Sequence, residues 1–441
     1  MLKKQTEEYG LHITINTTED CNLRCKYCYE INKRARSIPV ENCFKFIDIL
    51  LNDDDPCGFG EDRRDGVLSK DLYKQGVVFE FIGGDSLMDV SLLDKIMTYF
   101  MQKIMTTNTP NAQHWRNHFR FSISSNGTLF SRPEVRAFCE KWAKTMALSV
   151  AVSIDGCPTI HDKNRIMLER GKNGEEIGSM QYILENWDWY RKTFPSTDTC
   201  NTKSTCAKDS IPYLYESLKY MYEVMGLTQI NQNFIMEANG CTDEDYKELD
   251  RQMRKCVEYT LEHKDDFYWS MIDKETFAKH KLSVGDDWNC KGHCGSGAMP
   301  CLGINGNIYP CFRWLPHTQG KGEPEPIIVG NIKDGLNNKD GFRRVREGAY
   351  RCNCTREEKC RSCIYESSCA YCIGGCYAEH GDFIRTTYIC EITKIQCKWA
   401  KVYWNEYNKL EGLPMDFNEE WQLDRVRPWT KPMSTTDELD Y

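Results

Sequence analysis

Nowhere does the chain string together the roughly 18 to 20 apolar residues that a membrane span requires. Its opening stretch, MLKKQTEEYG, also lacks the apolar centre of a secretory signal. A cytoplasmic protein without a membrane partner is the expectation. Basic residues are nowhere dense: 57 Lys and Arg are spread among 65 Asp and Glu, for a net charge of -8. Such a chain lacks the positive footprint that phosphate backbones demand, so nucleic acid is not an expected partner.

A reducing compartment also disfavours disulfides, which makes the cysteine content the anomaly of this sequence. There are 24 in 441 residues. Isolated ones such as Cys43, Cys139 and Cys256 fall on helical patterns and read as small buried hydrophobes. The clustered ones point to metal ligation or redox chemistry. Because single cores stop growing near about 250 to 300 residues, a main domain with an appendage is predicted.

From Leu11 to about residue 263, short β-branched or aromatic runs alternate with helical patterns. Strands are predicted at LHITINT (from Leu11), VVFEFIG (from Val77), FRFSIS (from Phe119), LSVAVSI (from Leu148), TCNTKST (from Thr199) and TQINQNFIM (from Thr228). Between them VENCFKFIDILL, SLLDKIMTYFMQKI, PEVRAFCEKWAKTM, GSMQYILENWDWYRKTF and DSIPYLYESLKYMYEVMG space apolar residues three and four apart, as helices with one buried face do. A sixth helix is predicted to start at Thr242, with Asp245 completing a capping-box-like pair. Six such units in series imply parallel strands with right-handed crossovers, in an open sheet or a partial barrel. Ligands then sit at the C-terminal strand ends. Those ends carry, in order, three cysteines, GGDSLM, SNGT and DGCPTIHDKNR.

The first of these ends reads TTEDCNLRCKYCYE, with Cys21, Cys25 and Cys28 in a C-x3-C-x2-C array. Structural zinc would want a fourth Cys or His nearby, and none follows until Cys43. An iron–sulfur cubane with three protein ligands fits better, since one iron stays open to a small molecule.

This array, with an aromatic (Tyr27) just before its last cysteine and a strand just ahead of it, resembles the radical S-adenosylmethionine (SAM) enzymes. The resemblance implies that the amino and carboxylate groups of SAM chelate the open iron. An electron from the cluster then cleaves the sulfonium to a 5′-deoxyadenosyl radical. Gly83 and Gly84 match the glycines of the family's G-G-E motif, with Asp85 one methylene shorter than the usual Glu. Ser153 and Arg165 match positions that bind the cofactor carboxylate, and Asn126 the strand end near the ribose. The resemblance thus assigns Tyr27, Gly83, Gly84, Asp85, Asn126, Ser153 and Arg165 to the cofactor and Cys21, Cys25 and Cys28 to the metal.

Thirteen more cysteines lie between Cys290 and Cys397. Their spacing resembles a SPASM domain, the auxiliary-cluster module of peptide-modifying radical SAM enzymes. Cys294, Gly306 and Cys311 match its first part; Cys360, Cys363 and Cys369 match its second, with Cys390 closing it. One step departs from the pattern: the next ligand should fall at Ile373, whereas Cys372 and Cys376 flank it, and Cys372 is preferred. Cys290 is expected to supply the remaining corner of the first auxiliary cluster, with Cys301 its rival. Cys352, Cys354 and Cys397 are supernumerary in this scheme. Paired C-x2-C units also build zinc ribbons, so zinc remains the competing reading for this region taken alone.

The implied fold is α/β: a partial (β/α)6 radical SAM barrel over residues 1–263, a linker over 264–289, a SPASM domain over 290–400, and a C-terminal helix and tail over 401–441. The implied cofactors are SAM and three [4Fe-4S] clusters. LHITINTTEDCNLRCKYCYE, FEFIGGDSLMD, GNIYPCFRWLP and TYICEITK look most similar to maturases of peptides with repeated Cys-x-x-x units. The expected reaction is a thioether crosslink from a Cys sulfur to a carbon of another residue in a Cys-rich precursor peptide, with flavodoxin or ferredoxin as electron donor. With the first strand expected at about residue 11, no leader-binding domain is expected ahead of it, which raises alternatives: oxidation of Cys or Ser to formylglycine, as in sulfatase maturases, or a carbon–carbon crosslink in the peptide.

Overall fold

The computed structural model describes residues 11–31, 34–59, 76–145, 147–195, 200–278, 295–319, 325–352, 363, 365 and 368–429. Its main sheet has nine strands: β1 (Leu11–Thr18), β2 (Val77–Gly83), β3 (Phe119–Ser125), β4 (Leu148–Ser153), β5 (Cys200–Cys206), β6 (Gln232–Phe234), β7 (Cys301–Leu302), β8 (Asn307–Tyr309) and β9 (Gly330–Asn331). Their order is β9-β8-β7-β1-β2-β3-β4-β5-β6. Strands β1 to β6 are each parallel to the next. Sequential order with right-handed crossovers sends every connecting helix to one face, the arrangement of a barrel wall and not of a doubly wound sheet.

The strand registers separate the two faces. Ile13, Phe79, Phe121 and Leu148 lie side by side, as do Ile15, Phe81, Ile123 and Val150, and all are buried under the helices. The other face carries the alternate residues, Thr14, Glu80, Ser122 and Ser149 in one row. An apolar outer face and a polar inner one leave the inside suited to a polar ligand.

Helices formed where the apolar stripe was continuous. Cys43, Phe46, Ile47, Leu50 and Leu51 make the buried stripe of Val40–Leu51. The helix Asp243–Glu262 starts as predicted, with Thr242 and Asp245 bonded through both backbone and side chain.

Three predicted elements are broken, each for a local reason. The last strand changes partner at Asn231: Gln229–Ile230 pairs with Tyr268–Trp269, and only Gln232–Phe234 joins β5. The helix predicted from Gly178 splits into Met180–Leu184 and Trp187–Thr193. At the break, the Asn186 side chain donates to the Tyr182 carbonyl and accepts from Arg136. The next begins as a tight turn around Pro212, which has no N–H to give, before turning α-helical at Leu214–Lys219.

The cysteine-rich segment is partly built into the main sheet, since β7 runs parallel to β1 and β8 and β9 follow antiparallel. One buried helix, Cys390–Leu410, crosses the boundary expected at residue 400. It packs on Asp243–Glu262, where Asp250 accepts from Lys398 and Trp399. Among the described residues no helix is long and apolar enough to cross a membrane.

Candidate active site

The three cysteines occupy the loop that leaves β1, and neighbouring strand ends hold that loop in place. The N–H of Gly84 donates to the Thr18 carbonyl and that of Asp85 to the Asp20 carbonyl. The approach is so close that a Cβ on Gly84 would stand 2.0 Å from the Asp20 carbonyl oxygen and 2.8 Å from Cys21 Cβ. Gly83, at φ +131°, adopts a backbone open to glycine and would put a Cβ 1.7 Å from the Thr18 oxygen. The glycine pair is therefore explained by the cysteine loop pressing on it.

A hairpin absent from the sequence reading closes the loop from the other side. Its arms, Ile166–Arg170 and Glu176–Gly178, follow directly after Arg165. Arg24 N–H donates to the Ile166 carbonyl and Leu168 N–H to the Asn22 carbonyl, while Met167 packs with Cys21 and Leu23. The turn carries Asn173-Gly174, a hairpin signal legible in the sequence.

Two side chains reach the sulfurs. Asn126 Nδ2 lies 3.9 Å from Cys21 Sγ, and Arg165 Nη1 3.9 Å from Cys25 Sγ. Arg165 is buried and held by Asp155, whose Oδ1 accepts from its Nε at 3.0 Å. Tyr27 donates its hydroxyl to the other oxygen of Asp155, and the guanidinium lies over the Tyr27 ring. Burial pushes the Tyr27 hydroxyl well above its ordinary range. Asp155 was missed by the sequence reading; it joins Tyr27, Arg165 and the Thr205 N–H in one network.

Asp85 is fully buried, and its carboxylate accepts from Ser125 Oγ and from the N–H groups of Asn126 and Leu87. Burial pushes its carboxyl upward against those donors. Asp85 thus ties the end of β2 to the end of β3. Ser153 ends β4 on the polar face, half-buried beside Lys203 in register. Asn16, on the same face of β1, is buried with neither its amide nitrogen nor its amide oxygen hydrogen-bonded.

The C-terminal segment completes the wall. His317, buried, lies 3.5 Å from Glu19 and 3.6 Å from Glu30, the acids that flank the cysteine loop. Arg313 stacks over Tyr29 and pairs with Glu237 at 2.5 Å. Between these parts opens a cavity of about 490 Å³, lined by Tyr27, Cys28, Lys208, Glu237, Arg313 and Glu379 among others.

Of the expected auxiliary ligands, Cys290, Cys294 and Cys360 lie outside the described residues. Cys311 and Cys372 both border Arg313: Cys311 Sγ accepts from its N–H, and Cys372 is within electrostatic reach of its guanidinium. Cys376 turns instead toward Thr386. Cys301 is buried within reach of Cys311.

No protein-family model matches the chain. A protein described as uncharacterized, from Methanocaldococcus jannaschii, is 27% identical over 214 residues, 48% of this chain and 58% of that relative. The chain thus spans less than two thirds of the curated relative it matches. Among solved structures, native anSMEcpe with bound AdoMet, an anaerobic sulfatase-maturating radical SAM enzyme, is similar with a TM-score of 0.61 and 16% identity, over 91% of this chain and 100% of that one. Streptococcus suis SuiB, bound to the precursor peptide SuiA, is similar with a TM-score of 0.53 and 13% identity, over 86% of this chain and 76% of that one.

The chain has the fold of these radical SAM enzymes. Within that fold, the cysteine loop and the glycine pair stand at the neighbouring ends of β1 and β2, and Arg165, held by Asp155 just after β4, reaches Cys25.

Proposed function

We propose that the protein is a radical SAM enzyme that modifies a ribosomally made peptide by joining a Cys sulfur to a carbon of another residue. The observation that carries this reading is the convergence of Cys21, Cys25 and Cys28 with Arg165 and Asn126 at the mouth of a polar-lined parallel sheet.

The residues fit the groups this reading requires. Three thiols on one short loop suit a cubane with an open iron. The loop itself is clamped by the glycine pair and the hairpin. Asn16 offers an unpartnered buried amide on the polar face, and Arg165 a fork suited to a carboxylate. When bound, the cluster and SAM would supply a carbon-centred radical able to abstract an unactivated hydrogen.

The chain's own part is to bind, orient and seclude. Asp155 and Tyr27 fix the guanidinium of Arg165, which also lends positive charge beside Cys25. The cavity between Tyr27, Arg313 and Glu379 is roomy enough for several side chains, and its mixed charges suit a peptide backbone. Cys311 and Cys372, both beside the cavity-lining Arg313, support an auxiliary, SPASM-type cluster near it.

Formylglycine formation is the second reading, favoured by the similarity to anSMEcpe with bound AdoMet and Cp18Cys peptide, at a TM-score of 0.61. Co-expression with a Cys-rich precursor peptide, followed by mass spectrometry, separates the two. A crosslink retains sulfur and removes two hydrogens per bond; formylglycine from Cys loses the sulfur. An unmodified peptide would count against both.

A further inference from the structure

Arg313 and Glu237 face each other across the cavity wall, but they are joined by half of what a guanidinium can offer. Glu237 Oε1 takes Arg313 Nη2 at 2.5 Å, while its Oε2 turns to the N–H of Met236 at 3.2 Å. Arg313 Nε is buried without a hydrogen-bond partner. Because a guanidinium pairs best with a carboxylate through two parallel N–H bonds, one arm of the fork is left unfilled.

The two partners are held unequally. The Arg313 side chain is 12% exposed and that of Glu237 50%. Arg313 stacks over Tyr29, with its Cζ 4.7 Å from the ring centroid, and its carbonyl accepts from the Gln319 side chain. Gly374 and Gly375 leave room for it: a Cβ on Gly374 would stand 2.7 Å from Arg313 Cβ, and one on Gly375 3.3 Å from Nη2. Glu237, by contrast, sits on the irregular segment that follows β6. A buried cation must keep a negative partner, whereas a half-exposed carboxylate can return to water at little cost. Both residues line the cavity of about 490 Å³, which extends to Cys28.

We propose that this cavity recognises a carboxylate of the substrate peptide, which takes the place of Glu237 on Arg313 and fills both arms of its fork. Glu237 is the resident stand-in that keeps the buried cation paired when no peptide is bound. Since Arg313 lies against Tyr29, next in sequence to Cys28, the acid belongs within a few residues of the peptide position presented to the cysteine loop. An acidic side chain and the carboxyl terminus share this chemistry, and the test separates them. That the ligand is a peptide rests on the function proposed above; that it carries a negative charge rests on the geometry of Arg313. A role for Arg313 confined to the neighbouring Cys311 and Cys372 would give no dependence on peptide charge.

The test uses full-length, anaerobically reconstituted protein and short end-blocked peptides of glycine and one cysteine. Glu is placed in turn at each position after the cysteine, and each peptide has a Gln twin, blocked or with a free carboxyl terminus. Calorimetry should find an acid peptide that binds the parent about tenfold or more tighter than its blocked Gln twin. Whether the side chain or the free terminus confers this identifies the source. Arg313→Gln should erase the preference, and Glu237→Gln, by removing the stand-in, should tighten the acid peptide by about threefold and leave the blocked Gln twin unchanged. Equal affinities in the parent overturn the proposal, as does undetectable binding of every peptide or a preference that survives Arg313→Gln. Should Arg313→Gln fail to fold, Glu237→Gln at its half-exposed position decides alone, and weaker or unchanged binding of the acid peptide there overturns the proposal. Lack of 5′-deoxyadenosine would instead count against the radical SAM reading, since the acid preference is read from binding.

Discussion

Tyr27 donates its phenolic hydrogen bond to Asp155, fastening the loop of Cys25 and Cys28 to the segment behind β4. The same carboxylate holds Arg165 over the Tyr27 ring. Asp155→Asn would leave a buried guanidinium without its anion, a loss on the order of 3 to 5 kcal/mol. Chemical denaturation should register that loss, and SAM binding should weaken about tenfold or more, or ~1.4 kcal/mol, as Arg165 is released. Tyr27→Phe removes one hydrogen bond to a charged acceptor and should cost about 1.5 to 3 kcal/mol. Parental stability in Asp155→Asn would refute the network.

Gly84 and Gly174 make a contrasting pair. A Cβ on Gly84 meets the Asp20 carbonyl at 2.0 Å, whereas one on Gly174, at the hairpin tip, meets nothing within 4 Å. Gly84→Ala must displace the cysteine loop, and reconstituted protein should hold about four fewer irons per chain. Gly174→Ala, strained only by its positive φ, should cost on the order of 1 kcal/mol and leave iron content alone.

His161 gives the fold a pH dependence. Burial pushes its imidazole down to about 4, and its ring lies between the Asp155 N–H and Ser179 Oγ. An unfolded His titrates near 6.5, so between about pH 6.5 and 4 the unfolded chain binds the extra proton. Stability conferred by the neutral ring is complete above pH 6.5 and should fall by about 3 kcal/mol as the pH drops to 4. Denaturant melts across that range should show the slope, and His161→Gln should flatten it. An equal slope in both proteins would assign it to other groups.

Asp250 joins two helices through three donors: Lys398 Nζ at 2.6 Å, Trp399 Nε1 at 2.8 Å and Trp429 N–H at 2.8 Å. Asp250→Ala leaves Lys398 buried without its anion and should destabilise by about 3 to 5 kcal/mol. The double variant Asp250→Ala/Lys398→Met should recover part of that loss, since the stranded charge is gone. No recovery would mean that the indole and backbone contacts carry the effect.

The helix Val40–Leu51 and β2 fall on their predicted residues because a continuous apolar stripe or alternation marks them. The same holds for the strand ends, where glycine and polar residues replace the pattern. Long-range pairing was not legible: Asp155 lies 128 residues from Tyr27, and nothing local marks it as a partner. Strands β7 to β9, two or three residues each, are too short for a period to show. Cysteine spacing orders thiols along the chain but does not say which lie together; that Cys363 packs beside Cys397 is seen only in the packing.

The most direct measurement is the yield of 5′-deoxyadenosine from SAM after anaerobic reconstitution and reduction with dithionite. The parent enzyme is expected to produce it, and Cys25→Ala, which removes one corner of the proposed open-iron site, to produce none. A fully reconstituted parent that yields no 5′-deoxyadenosine, or a Cys25→Ala protein that yields as much as the parent, would contradict the assignment of the β1 cysteine loop as the radical-generating site.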